Sequence, residues 1–119
     1  MYQLEPDIQG STLTLHLKGS VLIPDVVAFN KVMREYSKQP NISQLILDMG
    51  SLEKMDQAGL GVLVSLNTSM QRYGRRLVLS HLPPHIEQLL KDSEIEGFFP
   101  TVESEEELRG FIQDSQKSR

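Results

Sequence analysis

The sequence predicts an α/β fold: one mixed β-sheet of about five strands with about four helices packed against it. Segments with the two-residue period of a strand alternate along the chain with segments of helical period. Two short, unbroken apolar runs, Leu45-Ile46-Leu47 and Leu77-Val78-Leu79, look like strands covered on both faces, as parallel strands are. With 119 residues, 39% of them hydrophobic, the chain suits one domain with a core of its own. Residues 1–119 are therefore read as a single domain, with a frayed tail from about residue 114.

The elements follow in order. Tyr2 to Ile8 is a weak strand, and Gln9-Gly10-Ser11 the turn that leads out of it. Thr12 to Lys18 alternates strictly, with Leu13, Leu15 and Leu17 on one side and Thr14, His16 and Lys18 on the other, which predicts a half-buried strand. Gly19 and Pro24 bracket a break. Val26, Phe29, Val32, Met33 and Tyr36 then recur at helical spacing, so Asp25 to about Lys38 predicts an amphipathic helix capped by Asp25 and stopped by Pro40.

Ile42 to Asp48 predicts a buried strand, Met49 to Met55 a loop, and Asp56 to about Tyr73 a second helix that buries Gly59, Leu63, Leu66, Met70 and Tyr73. Gly74 ends it. A buried strand over Leu77–Leu79 comes next, then a short helix opened by Pro83-Pro84 with Ile86, Leu89 and Leu90 inward. Gly97 to Val102 predicts an edge strand. Ser104-Glu105-Glu106-Glu107 is a capping box for a last helix burying Leu108, Phe111 and Ile112.

Composition excludes several functions. The absence of cysteine removes disulfides and thiolate metal sites and fits a reducing compartment. The formal charge is −4 with acids and bases intermixed, so no basic stripe is available for nucleic acid. No apolar run approaches the roughly 20 residues of a membrane span, and no signal-peptide pattern opens the sequence, which predicts a cytoplasmic protein with no membrane insertion.

Catalytic chemistry is equally sparse. Gly59-Leu60-Gly61 lacks the third glycine of a dinucleotide fingerprint, and no Walker-type lysine is present. His81 and His85 are separated by two prolines that block a continuous helix, so they read as solvated loop-edge imidazoles and no metal is expected. His16 reads as a surface residue. The cluster Glu103, Glu105, Glu106 and Glu107 is explained by helix capping and dipole compensation. No cofactor and no enzymatic activity are predicted.

What stands out is Leu47 to Val62. A buried strand runs into a loop that delivers Asp56 to a helix start, where its carboxylate can cap the free amides of Ala58 or Gly59. The first turn is bare: Ala58, Gly59 and Gly61 give almost no side-chain cover, and each glycine costs the helix about 1 kcal/mol relative to alanine. Close approach by another surface would account for that cost. The residues expected at such a contact are Ser51, Met55, Asp56, Gln57, Ala58, Gly59, Leu60, Gly61, Val62 and Val64.

Leu47-Asp48, followed by Asp56-Gln57-Ala58-Gly59-Leu60-Gly61-Val62, resembles the pattern of a STAS domain, the fold of bacterial anti-sigma factor antagonists. The resemblance extends in element order over Gly74 to Leu79 and Phe98 to Leu108. It implies a single-domain STAS-like fold and a signalling role in transcription regulation. In antagonists of this kind, a hydroxyl two residues after the motif aspartate is phosphorylated by a partner serine kinase that is also the anti-sigma factor. The corresponding position here is Ala58, and its neighbour Gln57 has no hydroxyl either. Ser51 is the weak alternative acceptor. Where many members have an acid after Gly-Glu-Leu, this chain has Leu22 in Gly19-Ser20-Val21-Leu22, which leaves Asp56 as the acid of the region.

The resemblance therefore implies a non-catalytic, protein-binding regulator that engages an anti-sigma factor of the serine-kinase type, or a related signalling partner, without the usual phospho-switch. The alternative is a STAS subunit of a lipid or anion transporter complex. A weak homodimer is compatible with either. Nucleotide sensing at the bare helix start is disfavoured, because Lys54 is the one basic residue between Gln44 and Arg72.

Overall fold

The computed structural model describes residues 1–117, with side chains up to Ile112. Five strands form one sheet in the order β1-β2-β3-β4-β5: β1 (Tyr2–Gln9), β2 (Thr12–Val21), β3 (Gln44–Met55), β4 (Arg76–Ser80) and β5 (Thr101–Val102). β1 runs antiparallel to β2, and the remaining neighbours are parallel. The helices α1 (Val26–Ser37), α2 (Gln57–Arg72), α3 (Pro84–Asp92) and α4 (Glu105–Lys117) supply the crossovers and the final cover. The expected mixed sheet with four helices is present. The tail expected from about residue 114 falls on side chains outside the described residues.

Strand alternation sorts the helices into two layers. Leu13, Leu15, Leu17, Leu45, Leu47, Leu77 and Leu79 face one side and pack with Phe29 and Met33 of α1, Leu63 and Met70 of α2, and Ile86 and Leu90 of α3. Ile46, Val78 and Val102 face the other side, where Leu108, Phe111 and Ile112 of α4 lie against them half-buried. Each fully buried leucine contributes about 1.5–3 kcal/mol, so the three-helix face dominates stability.

The structure corrects the sequence reading in several places. β2 is not half-buried along its length: α4 crosses its lower half, leaving Thr12 and Thr14 buried, and Gln44 Nε2 donates to Thr12 Oγ1 and to the carbonyl of Phe111. Met49 to Met55 is not a loop. β3 continues through it, pairing Lys18 with Ser51 and Val21 with Met55 across two register shifts, and burying Met49, Leu52 and Met55. β5 begins at Thr101 rather than Gly97.

Tyr73 is exposed rather than inward, because α2 stops at Arg72 and Gly74 turns the chain with φ +71°. Asp25 stands at the start of α1 but gives it no side-chain cap. Its Oδ2 instead accepts the Leu22 amide at 3.0 Å, closing a 3₁₀ turn over Ile23–Asp25. At α4, Ser104 Oγ accepts the Glu107 amide at 3.1 Å, as a capping box requires, but Glu107 Oε1 reaches back one residue further, to the amide of Glu103.

Candidate functional site

The end of β2, the 3₁₀ turn and the start of α2 meet at one rim of the sheet. Their junction is made by Asp56. Its backbone amide donates to Val21 O at 3.3 Å, its Oδ1 accepts from Gly59 N at 3.1 Å, and its Oδ2 accepts from Ile23 N at 2.9 Å. One carboxylate thus caps α2 and anchors the turn that precedes α1. The expected cap is present, on Gly59 and not Ala58; the bond to Ile23 is 33 residues away in sequence and carries no local signal.

Asp25 adds a second acid to this turn. Leu22 N bonds to Asp25 and Ile23 N to Asp56, so two consecutive amides are held by two carboxylates. The hydrogen bond from Leu22, and then the one from the Met1 ammonium 3.0 Å away, hold the Asp25 carboxyl below the usual carboxylate range. The acidity at the rim is therefore not confined to Asp56, because a side chain three residues past Leu22 folds back to restore it.

The contact residues expected from sequence divide by exposure. Ser51, Gln57 and Gly61 are exposed, and Asp56, Ala58 and Val64 are half-buried. Met55, Gly59, Leu60 and Val62 are buried. Gly59 is there for packing: an added Cβ would come within 3.0 Å of Met55 Cγ, Val21 Cγ1 and Val21 O. Gly61 is different. A Cβ there would meet nothing within 4 Å, so no contact inside the protein requires glycine.

Gln57, Gly61 and Val64 lie along the outer face of α2 and, with Leu60, Ser93 and Ile95, line a shallow groove. Beside the same rim stand two side chains that the sequence reading passed over, Ile23 at 71% exposure and Val27 at 83%. Helical periodicity could have flagged Val27, since it falls off the stripe of Val26, Phe29 and Met33. Among the described residues, no group of three or more histidines or acids is arranged to hold a metal ion, and no helix is long and apolar enough to cross a membrane.

Residues 3–108 match the family model of the STAS domain. The chain belongs to the STAS domain family. It is 30% identical over 63 residues to BtrV of Bordetella bronchiseptica, named as a candidate anti-sigma factor antagonist; the match covers 53% of this chain and 54% of BtrV. The aligned part thus spans about half the length of that curated relative. Among solved structures, unphosphorylated SpoIIAA, an anti-sigma factor antagonist and Bacillus cell fate determinant, superposes with a TM-score of 0.70 at 19% identity, covering 95% of this chain and 98% of that one. A sulfate transporter family protein from Wolinella succinogenes gives 0.73 at 14% identity, covering 94% and 93%. At these identities the two likenesses establish the STAS fold alone.

Ala58 is the residue for which the sequence resemblance implied the family's serine or threonine position. In this STAS domain it sits half-exposed in the first turn of α2, two residues past Asp56.

Proposed function

We propose that this STAS domain is a non-catalytic regulator that docks on an anti-sigma factor of the serine-kinase type, or a related signalling protein, without a phosphorylation switch. The observation that carries the reading is the exposed Gly61, a glycine that the protein's own packing does not need, next to the half-exposed Ala58. Holding a glycine in an exposed helical turn costs about 1 kcal/mol, and close approach by a partner's backbone offsets that cost. Ile23, whose amide bonds to Asp56 at the start of α2, and Val27 add exposed apolar area of the kind that anchors a protein contact. A methyl at position 58 cannot take up the charge that a phosphate would add there.

The test introduces the missing charge. With the full chain as bait in its native host, a kinase-type anti-sigma factor should be recovered and identified by mass spectrometry. Ala58→Glu should then weaken its binding at least tenfold, through repulsion and the desolvation of a carboxylate at the contact. Binding that is indifferent to Ala58→Glu would dismiss this surface.

The second reading, a STAS subunit of an anion transporter assembly, is favoured by the likeness to the Wolinella protein and accommodates Ala58 equally well. Recovery of permease or ATPase subunits in place of a kinase would select it.

A further inference from the structure

The three helices on the main core face lie in the order of the strands they join, since α1, α2 and α3 cross from β2 to β3, from β3 to β4 and from β4 to β5. Their outward charges are sorted. α1 carries Lys31, Arg34 and Lys38, all exposed, against the single acid Glu35. α2 has no acid, and its one charged residue is Arg72 in the last turn. From Pro84 to Glu96, α3 and the turn after it carry Glu87, Asp92, Glu94 and Glu96 against Lys91. One layer of the protein is thus basic on one side, neutral in the middle and acidic on the other.

The opposite charges stand at matching heights along α2. Arg34 Nη2 donates to Ser65 Oγ at 3.4 Å, which sets Arg34 beside the third turn of α2 and Lys31 one turn nearer the rim. On the other side of α2, Ser93 and Ile95 line the groove with Gln57, Gly61 and Val64, and the exposed Asp92 and Glu94 flank Ser93. Among the described residues, none of Lys31, Arg34, Asp92 and Glu94 pairs with an opposite charge inside the chain. Val27, largely exposed, adds an apolar contact one turn before Lys31. At about 1.5 Å per residue and about 9 Å between helix axes, the layer covers roughly 500 Å², the size of a transient interface and not of an obligate one.

We propose that a second copy of this chain docks on this layer, about a two-fold axis running along α2. Rotation about that axis sets α1 of each copy opposite α3 of the other, so Lys31 and Arg34 meet Asp92 and Glu94 twice, symmetrically. α2 meets α2 over Gly61 and Ser65, which carry no charge. A foreign partner would have to supply both signs in this order, whereas the chain's own face supplies both. Gly61 and Val27 also belong to the docking reading above, so where that reading holds, the dimer withholds them from the signalling partner. Self-association is measured on the chain alone, so either reading can fail without the other.

Sedimentation equilibrium of the full chain at about 0.05 M salt should show monomer passing to dimer between about 10 μM and about 1 mM, with association about tenfold weaker at about 1 M salt. Lys31→Glu with Arg34→Glu, and separately Asp92→Lys with Glu94→Lys, should each weaken self-association at least about tenfold by setting like charges against each other. All four side chains are exposed, and circular dichroism checks that both reversed chains keep the fold. Mixing the two reversed chains in equal amounts should restore association to within about threefold of the wild type, because their heterodimer pairs reversed α1 with reversed α3 and native α1 with native α3. A wild-type chain that stays monomeric to about 1 mM, a dimer indifferent to either reversal, or reversed chains whose mixture does not associate would overturn the proposal.

Discussion

Asp56 holds Ile23: the carboxylate that caps α2 through Gly59 at 3.1 Å reaches with its other oxygen to the Ile23 amide at 2.9 Å, joining two elements far apart in sequence. Both oxygens are used on backbone amides, so this aspartate organises the rim first. Replacing it with alanine removes an N-cap and a tertiary bond together. Asp56→Ala should lower unfolding free energy by about 1–2 kcal/mol in urea titrations, and Asp56→Asn by less, since an amide oxygen still accepts from Gly59.

The two glycines of α2 should respond in opposite directions. Gly59→Ala forces a methyl against Val21 and Met55 at 3.0 Å and should cost about 1–3 kcal/mol. Gly61→Ala meets open space and should stabilise the isolated protein by about 0.5–1 kcal/mol. If Gly61 is kept for a partner, the same Gly61→Ala protein should bind that partner less well despite its higher melting temperature. Thermal unfolding and a binding isotherm on one preparation check both halves.

Phe29 is wholly buried in α1, with Tyr2 set edge-on at a ring separation of 5.3 Å. Phe29→Ala should cost about 3–5 kcal/mol, a large part of the 5–15 kcal/mol that holds a domain of this kind. Phe111, half-buried on the sheet-facing side of α4 with the Arg76 guanidinium 4.7 Å from its ring centre, should cost less when truncated. Urea unfolding of the two variants side by side measures the difference between the two faces of the sheet.

Asp25 gives a pH prediction. Its carboxyl is held low in the folded state, first by the Leu22 amide and then by the Met1 ammonium. A depressed folded value means the stabilisation is present above the unfolded value, near pH 4, and lost as pH falls through the lower folded one. Acid titrations followed by circular dichroism should show stability declining below about pH 4, and Asp25→Asn should make that decline shallower.

Periodicity made most of the fold legible, because strands and helices here keep clean apolar spacing. β3 is the exception worth explaining. Past Asp48, the apolar residues Met49, Leu52 and Met55 fall three apart, and Gly50-Ser51 reads as a turn, so the alternation that marks a strand disappears. The register shifts opposite β2 absorb that irregular spacing, and pairing of this kind is invisible to a one-dimensional pattern. Tyr73 failed for a simpler reason: it continues the helical stripe at the first residue after α2 stops, just before Gly74 turns the chain.

The candidate site was legible as a segment and not as a surface. Asp56, Gln57, Ala58 and Gly61 declared themselves by type and order, but burial of Leu60 and Val62 and exposure of Ile23 and Val27 depend on how α2 lies on the sheet. His16 and His81, taken from sequence as isolated solvated rings, are joined through Asp48 because three strands place their ends side by side. Nothing local to either histidine announces the other.

The order β1-β2-β3-β4-β5 means that every strand lies next to the one synthesised just before it. A nascent chain leaving the ribosome can therefore extend its sheet one strand at a time, with no early edge left waiting for a late segment to arrive. Short waiting times for exposed edges translate into little opportunity for wrong pairing between molecules during synthesis.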